Sequence, residues 1–220
     1  MEKSQEKVII NVGRQFGSGG YDIAKMLAKM FNCKFYDKEL LDLAAKESGF
    51  SEKFFEQNDE KRHFFRSMFN YHVPGVPSGA FYNNKFSPEG LFLFQSEAIR
   101  KAASGDSSCV FVGRCADYVL RDFPNVFNVF ITADRQQRID AVAKREGCDA
   151  ATAVKTITLK EDTRASYYNY YTGKRWGNSA SYHLCVNSSV LGLEGTAEYI
   201  RDFINRKLKD SDRKLPCPEG

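Results

Sequence analysis

This sequence predicts an α/β fold, with three layers (helix, sheet, helix) built on a central parallel sheet, and three observations carry that expectation. A β-branched apolar run, VIINV at 8–12, leads straight into the glycine turn GRQFGSGG and then into apolar residues at helical spacing. Further continuous apolar runs recur as SCVFV at 108–112, VFNVFI at 126–131 and YHLCVN at 182–187, the pattern of strands covered on both faces. Helical patterns lie between and after these runs, and strands that alternate with helices pair in parallel.

Taken in order, the helix after the glycine turn is marked by Ile23, Leu27, Met30 and Phe31, which recur at i, i+4, i+7 and i+8. Helical faces follow at Leu40, Leu41, Ala44 and Ala45; at Leu91, Phe94, Ala98 and Ala102; at Ile139, Val142 and Ala143; and at Ala197, Ile200 and Ile204. Asp134 with Gln137 three positions on has the form of a capping box for the helix after the 126–131 strand. Residues 54–94 differ in character, with nine of the chain's 18 phenylalanines together with Pro74, Pro77 and Pro88. Three readings stay open for this stretch: an insert with its own aromatic core, a cover over a substrate, or a homodimer contact. Residues 1–210 are expected to form a single domain, and 211–220 a disordered tail, being polar, proline-punctuated and terminal.

Composition narrows the function classes. With 32 Lys and Arg against 28 Asp and Glu, the net charge is +4, too mild for a nucleic-acid-binding domain that also lacks a recognition motif. No apolar run approaches the roughly 18 residues of a membrane span, and the polar start resembles no signal peptide. A cytoplasmic protein with neither membrane nor nucleic-acid partner is the expectation. The six cysteines include no CxxC pair and the three histidines form no ligand pattern beside them, so a metal site built from these residues is not expected.

The glycine turn carries the chemistry. Between a buried strand and a helix, backbone N–H groups converge on an anion and the helix N-terminus adds partial positive charge. Gly17, Gly19 and Gly20 allow positive φ and close approach to phosphate oxygens, and Ser18 offers a hydroxyl donor. Against the phosphate-loop pattern GxxxxGK[ST], Gly19 takes the second glycine, but Arg14 stands at the first, Gly20 at the lysine and Tyr21 at the magnesium-binding hydroxyl. The loop keeps its backbone cradle and lacks its ammonium. Arg14 is the nearest cation to replace it, and Asp22 is a candidate to orient magnesium, with a plain helix-surface carboxylate as the alternative.

The segments IINVGRQFGSGGYDIAKMLA, FYDKELLDLAAKESG, VFVGRCADYVL, KEDTRASYYNYYTGKRWG and YHLCVNSSVLGLEG resemble, in this order, the bacterial cytidylate kinase-like family of P-loop nucleoside monophosphate kinases. The likeness extends over about residues 7–208. It implies a P-loop kinase fold with a helical monophosphate-binding insert at about 50–95 and a small arginine-bearing lid at about 138–178. It also implies ATP and Mg2+ as cofactors, donor phosphates on Gly17, Ser18, Gly19, Gly20 and Tyr21, and an acceptor near Asp37 and Arg114. The family pattern has aspartate directly after that arginine; this chain has Cys115 there and Asp117 two residues later. In the lid the resemblance places Asp162 and Arg164 near the transferring phosphate, with Arg138 and Arg145 as further candidates, since guanidinium groups pair with phosphate oxygens.

Tyr167, Tyr168, Tyr170, Tyr171 and Trp176 follow, either stacking a base or packing a helix end onto the sheet. The function expected is transfer of the ATP γ-phosphoryl group to a nucleoside monophosphate or related small acceptor, with Arg14, Asp162 and Arg164 catalytic and Asp37, Arg114, Asp117 and Arg138 on the acceptor. The alternatives are a kinase for an unrelated small molecule and a non-catalytic nucleotide- or phosphate-binding protein derived from a kinase, which the absent lysine favours.

Overall fold

The computed structural model describes residues 6–38, 40–41 and 88–211. Most of the Phe-rich stretch and of the expected insert lies outside the described residues, as does the tail from 212. Five parallel strands form the sheet in the order β2-β3-β1-β4-β5, where β1 is Ile9–Arg14, β2 Lys34–Tyr36, β3 Cys109–Val112, β4 Val126–Thr132 and β5 Leu184–Asn187. The helices are α1 (Gly20–Met30), α2 (Pro88–Ser104), α3 (Ala116–Val119), α4 (Arg135–Glu146), α5 (Ala150–Thr172) and α6 (Ser188–Ser211). Among the described residues no helix is long and apolar enough to cross a membrane.

Side chains alternate across each strand, and the alternation divides the core in two. On one face Ile10, Val12, Val110 and Val112 pack with Ile23 and Leu27 of α1 and with Ile200 and Ile204 of α6. On the other, Ile9, Cys109 and Phe111 meet Phe92 and Ile99 of α2 together with Tyr168 and Tyr171 of α5. The three-layer α/β architecture follows from that double burial. The five-residue path from β1 to α1 then leaves the glycine turn at the carboxyl end of the central strand, between its two neighbours.

One local expectation is corrected. Asp134 does precede α4, but its side chain makes no cap bond; Oδ1 accepts from Asn187 Nδ2 at 2.8 Å, which ties α4 to the end of β5. The 23-residue α5, within the stretch read as a lid, shows no single apolar stripe because it changes the face it buries. Its first half packs Ala153 and Ile157 against Ile139 and Val142 of α4, whereas its second half turns Tyr168 and Tyr171 onto the sheet. Asp149 caps its start by accepting from the Thr152 amide at 2.8 Å, and Gly173 ends it at φ 67°.

Ile10 lies in the central strand with no exposure. Ile10→Ala is expected to destabilise the protein by about 2–5 kcal/mol, read as a lowered midpoint in urea at unchanged slope.

Candidate functional site

The turn after β1 has the backbone an anion cradle requires. Gly17 and Gly19 adopt φ of 83° and 70°, and α1 starts at Gly20 without a side-chain cap on its first amides. The amides of Gly17, Ser18, Gly19 and Gly20 donate to no group among the described residues, whereas those of Gln15 and Phe16 are taken by Ile131 O at 2.9 Å and Glu161 Oε1 at 3.1 Å. Four consecutive amides are therefore available at a helix N-terminus, the arrangement that holds phosphate. Ser18 departs from expectation: it is buried and its hydroxyl donates to Gln15 O at 3.0 Å, so it braces the turn from within.

Gly20 departs as well, since its φ is not positive. Its missing side chain serves Arg14, because a Cβ at position 20 would lie 2.5 Å from Arg14 Cβ and 3.1 Å from Arg14 Cγ. At the far end of the same arginine, a Cβ on Gly113 would collide with Nη1. Arg14 thus runs over one glycine and ends against another, from the phosphate turn to the end of β3. A lysine at position 20 has no room while Arg14 holds this course.

A cavity of about 320 Å³ opens beside that guanidinium, over the ends of β1 and β3 and against α5. Five cations line it: Arg14, Lys38, Arg114, Lys160 and Arg164. None of the five forms an ion pair among the described residues. Burial, then the nearby charges of Arg164 and Arg114, push the Arg14 guanidinium down to about 9. Burial lowers Arg164 also. Burial outweighs the favourable charge of Asp37 on Arg14 and of Glu161 on Arg164, so both guanidinium groups sit at a cost that an anionic guest would reduce.

Arg114 is aimed by strain. Gly113, Arg114 and Cys115 have φ of 74°, 57° and 57°, a left-handed run that costs of order 1–3 kcal/mol for each non-glycine residue. The run carries the Arg114 guanidinium to 5.0 Å from the centre of the Tyr167 ring. Cys115, by contrast, is buried and its thiol is pushed up to about 12, chiefly by desolvation, so it is no nucleophile. Asp117 lines the cavity, accepts the Tyr168 hydroxyl at 2.7 Å, and has its pKa raised by burial. The aromatic cluster packs on the core side, as one of its readings had it, with Tyr171 stacked on Phe92 at 4.0 Å; Tyr167, Tyr168 and Trp176 also line the cavity.

Helix α5 is fastened to the phosphate turn. Arg164 Nη1 donates to Arg14 O at 3.0 Å, and its guanidinium lies 5.2 Å from the Phe16 ring centre. Glu161, which the sequence pattern did not single out, accepts both Arg138 at 2.7 Å and the Phe16 amide. Arg138 also donates to Ala133 O at 3.2 Å. Its guanidinium is consumed in this buried tie and does not line the cavity, contrary to the acceptor role expected of it. Asp162 sits exposed on α5, away from the cavity lining, and Arg145 covers Phe16 from 4.8 Å.

Tyr21 and Asp37 are joined to each other. The Tyr21 hydroxyl donates to Asp37 Oδ2 at 3.0 Å, and Asp37 Oδ1 accepts the Leu40 amide at 3.0 Å. No cluster of three metal-ligating side chains exists among the described residues, and Asp22 is exposed on α1. Four free amides at a helix N-terminus suit an oxyanion. Magnesium finds no aliphatic hydroxyl at the usual loop position, so the side chains described here do not form a site for it.

A parallel sheet in this strand order, with an anion-binding turn after its central strand and a cation-lined cavity beside it, defines a kinase-like α/β protein. Residues 9–190 match the cytidylate kinase-like family, and the chain belongs to that family. A cytidylate kinase from Staphylothermus marinus is 27% identical over 82 residues, 37% of this chain and 46% of that protein, so the match spans less than half of the relative. An uncharacterized protein from Eubacterium ventriosum is similar in structure, with a TM-score of 0.69 at 29% identity over 90% of this chain and 99% of the other. A shikimate kinase from Bacteroides thetaiotaomicron gives a TM-score of 0.48 at 14% identity, over 90% and 98% of the two chains.

Two outcomes test this geometry. Gly20→Ala should displace Arg14 and weaken inorganic phosphate binding at least about tenfold, a loss of about 1.4 kcal/mol, measured by calorimetry. Asp117 has a folded-state pKa above its usual 3.8, so its charge lowers stability as pH rises through that window and the penalty persists above it. Asp117→Asn is therefore expected to melt higher than the parent at pH 7, with the advantage fading as the pH falls toward 3.8.

Proposed function

We propose that this protein is a phosphotransferase that passes the γ-phosphoryl group of ATP to a nucleoside monophosphate or related small acceptor. The observation that carries the reading is the course of Arg14. Its side chain spans from the anion turn, where donor phosphates fit, to the cation-lined cavity, where an acceptor fits, and so it crosses the place where a phosphoryl group would pass between them. In this reading the guanidinium takes over the charge stabilisation that a loop lysine gives elsewhere, with two or more donors in a fixed fork.

The chain's own residues divide the work. The amides of Gly17 to Gly20 hold the donor phosphates, and Arg14 and Arg164 neutralise charge on the transferring group. Arg114 and Lys38 hold the acceptor's anion in the cavity. The aromatic wall of Tyr167, Tyr168 and Trp176 excludes water, which suppresses hydrolysis of the donor. Magnesium entering with ATP would supply charge neutralisation on the phosphates.

A second reading is favoured by one specific feature. With glycine at the lysine position and Tyr21 tied to Asp37 at the hydroxyl position, the turn retains anion binding without two usual parts of the transfer apparatus. A phosphate- or nucleotide-binding protein without turnover is the form this alternative takes.

ADP release with ATP, magnesium and a panel of nucleoside monophosphates separates the two. Turnover by the parent, with Arg14→Ala lowering kcat by about 10² to 10³ and the KM for ATP moving only a few-fold, supports transfer through Arg14. Arg164→Ala is expected to lower kcat in the same direction while ATP binding persists. Tight nucleotide binding with no ADP release from any member of the panel would establish the binding-protein reading instead.

A further inference from the structure

The central strand contains a polar residue that fold stability does not explain. On β1 the face that carries Ile9 carries Asn11 next, opposite Phe111 of β3 and Asn128 of β4. Asn11 is 4% exposed, and its Nδ2 donates to Asn128 Oδ1 at 2.9 Å. Its own Oδ1 is buried and accepts no hydrogen bond among the described residues. A buried carbonyl oxygen left without a donor is unfavourable, and such groups in native proteins await an explanation in a ligand or a water. An apolar residue there would complete the core, as Ile9 does two positions earlier.

Asn11 also lines the cavity that holds the five cations. Asp117, Tyr168 and Tyr182 line the same cavity, and the Asp117 carboxylate is held by the Tyr168 hydroxyl. The cavity therefore has two chemical characters: guanidinium and ammonium groups, which call for an anion, and buried oxygen acceptors, which call for a hydrogen-bond donor. A phosphomonoester whose other end bears an N–H group satisfies both.

We propose that Asn11 is a specificity-determining residue, whose buried side-chain oxygen accepts a hydrogen bond from an amino group on the acceptor's base. This rests on the acceptor-site reading given above. Loss of a donor to a site built around an unpaired acceptor is penalised heavily, whereas loss of one apolar contact is not.

Two pairs of probes decide it, CMP against UMP and AMP against IMP; in each the exocyclic amino donor is replaced by an oxo acceptor and the adjacent ring nitrogen changes from acceptor to N–H donor. Equilibrium binding is measured by calorimetry on the parent and on Asn11→Leu, with Asn11→Val, which also lacks a side-chain acceptor, as a second variant should the first fail to fold. In at least one pair the parent is expected to bind the amino member about tenfold or more tightly, and the substitution to bring that preference within about twofold. Asn11→Leu also takes the donor from Asn128 Oδ1, so the discriminating readout is the ratio of affinities within each pair, which a purely structural asparagine would leave unchanged on substitution. Equal affinities in both pairs, preference for the oxo members, or a preference that survives substitution overturns the inference while leaving the phosphotransferase reading intact. Failure of the parent to bind any of the four nucleotides overturns the inference together with the reading of these nucleoside monophosphates as acceptors.

Discussion

The site depends on one arginine having nowhere else to go. Arg14 leaves the end of β1 over Gly20 and stops against Gly113, and side chains at either glycine would deny it that path. Its charge is held beside Arg114 and Arg164 with burial against it, a placement that is unfavourable until an anion arrives. The missing lysine and the glycine in its place are thus one fact. A side chain at position 20 and the observed course of Arg14 exclude each other.

The second constraint is the fastening of α5 to that turn. Phe16 lies under the guanidinium groups of Arg145 and Arg164 and gives its amide to Glu161, which also binds Arg138. Separating helix and turn would leave the buried Arg138 guanidinium unpaired, which is costly. Arg164 is brought to the cavity by this fastening, and its bond to Arg14 O links it to the residue whose charge it shares. Such mutual support gives electrostatic preorganisation its value: cations are fixed before a phosphate enters, and little reorganisation remains to be done.

Much of the fold was legible because burial on both faces leaves a simple trace. The runs at 8–12, 108–112 and 126–131 are apolar at every position or nearly so, and each forms a strand within two residues of its expected limits. Helix α5 was not legible, because its buried positions change faces midway and cancel any one periodicity. The site was legible by halves. Glycines at 17 and 19 announce a turn that backbone rules require, and Arg14 was the nearest cation by position alone. Arg138 and Glu161 were opaque, since a sequence cannot say which of many arginines meets a carboxylate 23 residues away. Asn11 carried a signal, a lone amide within an apolar strand, but its meaning depends on what faces it.

Residue order by itself determined the strand-turn-helix start, the parallel sheet and the loss of the loop lysine, because these rest on short-range spacing and on backbone freedom at glycine. Only the tertiary structure decided which charged groups gather at the cavity and which are spent in structural ties. That selection depends on distances between elements far apart in the chain, where electrostatic energy falls off within a few ångströms of misplacement and local sequence holds no record of it.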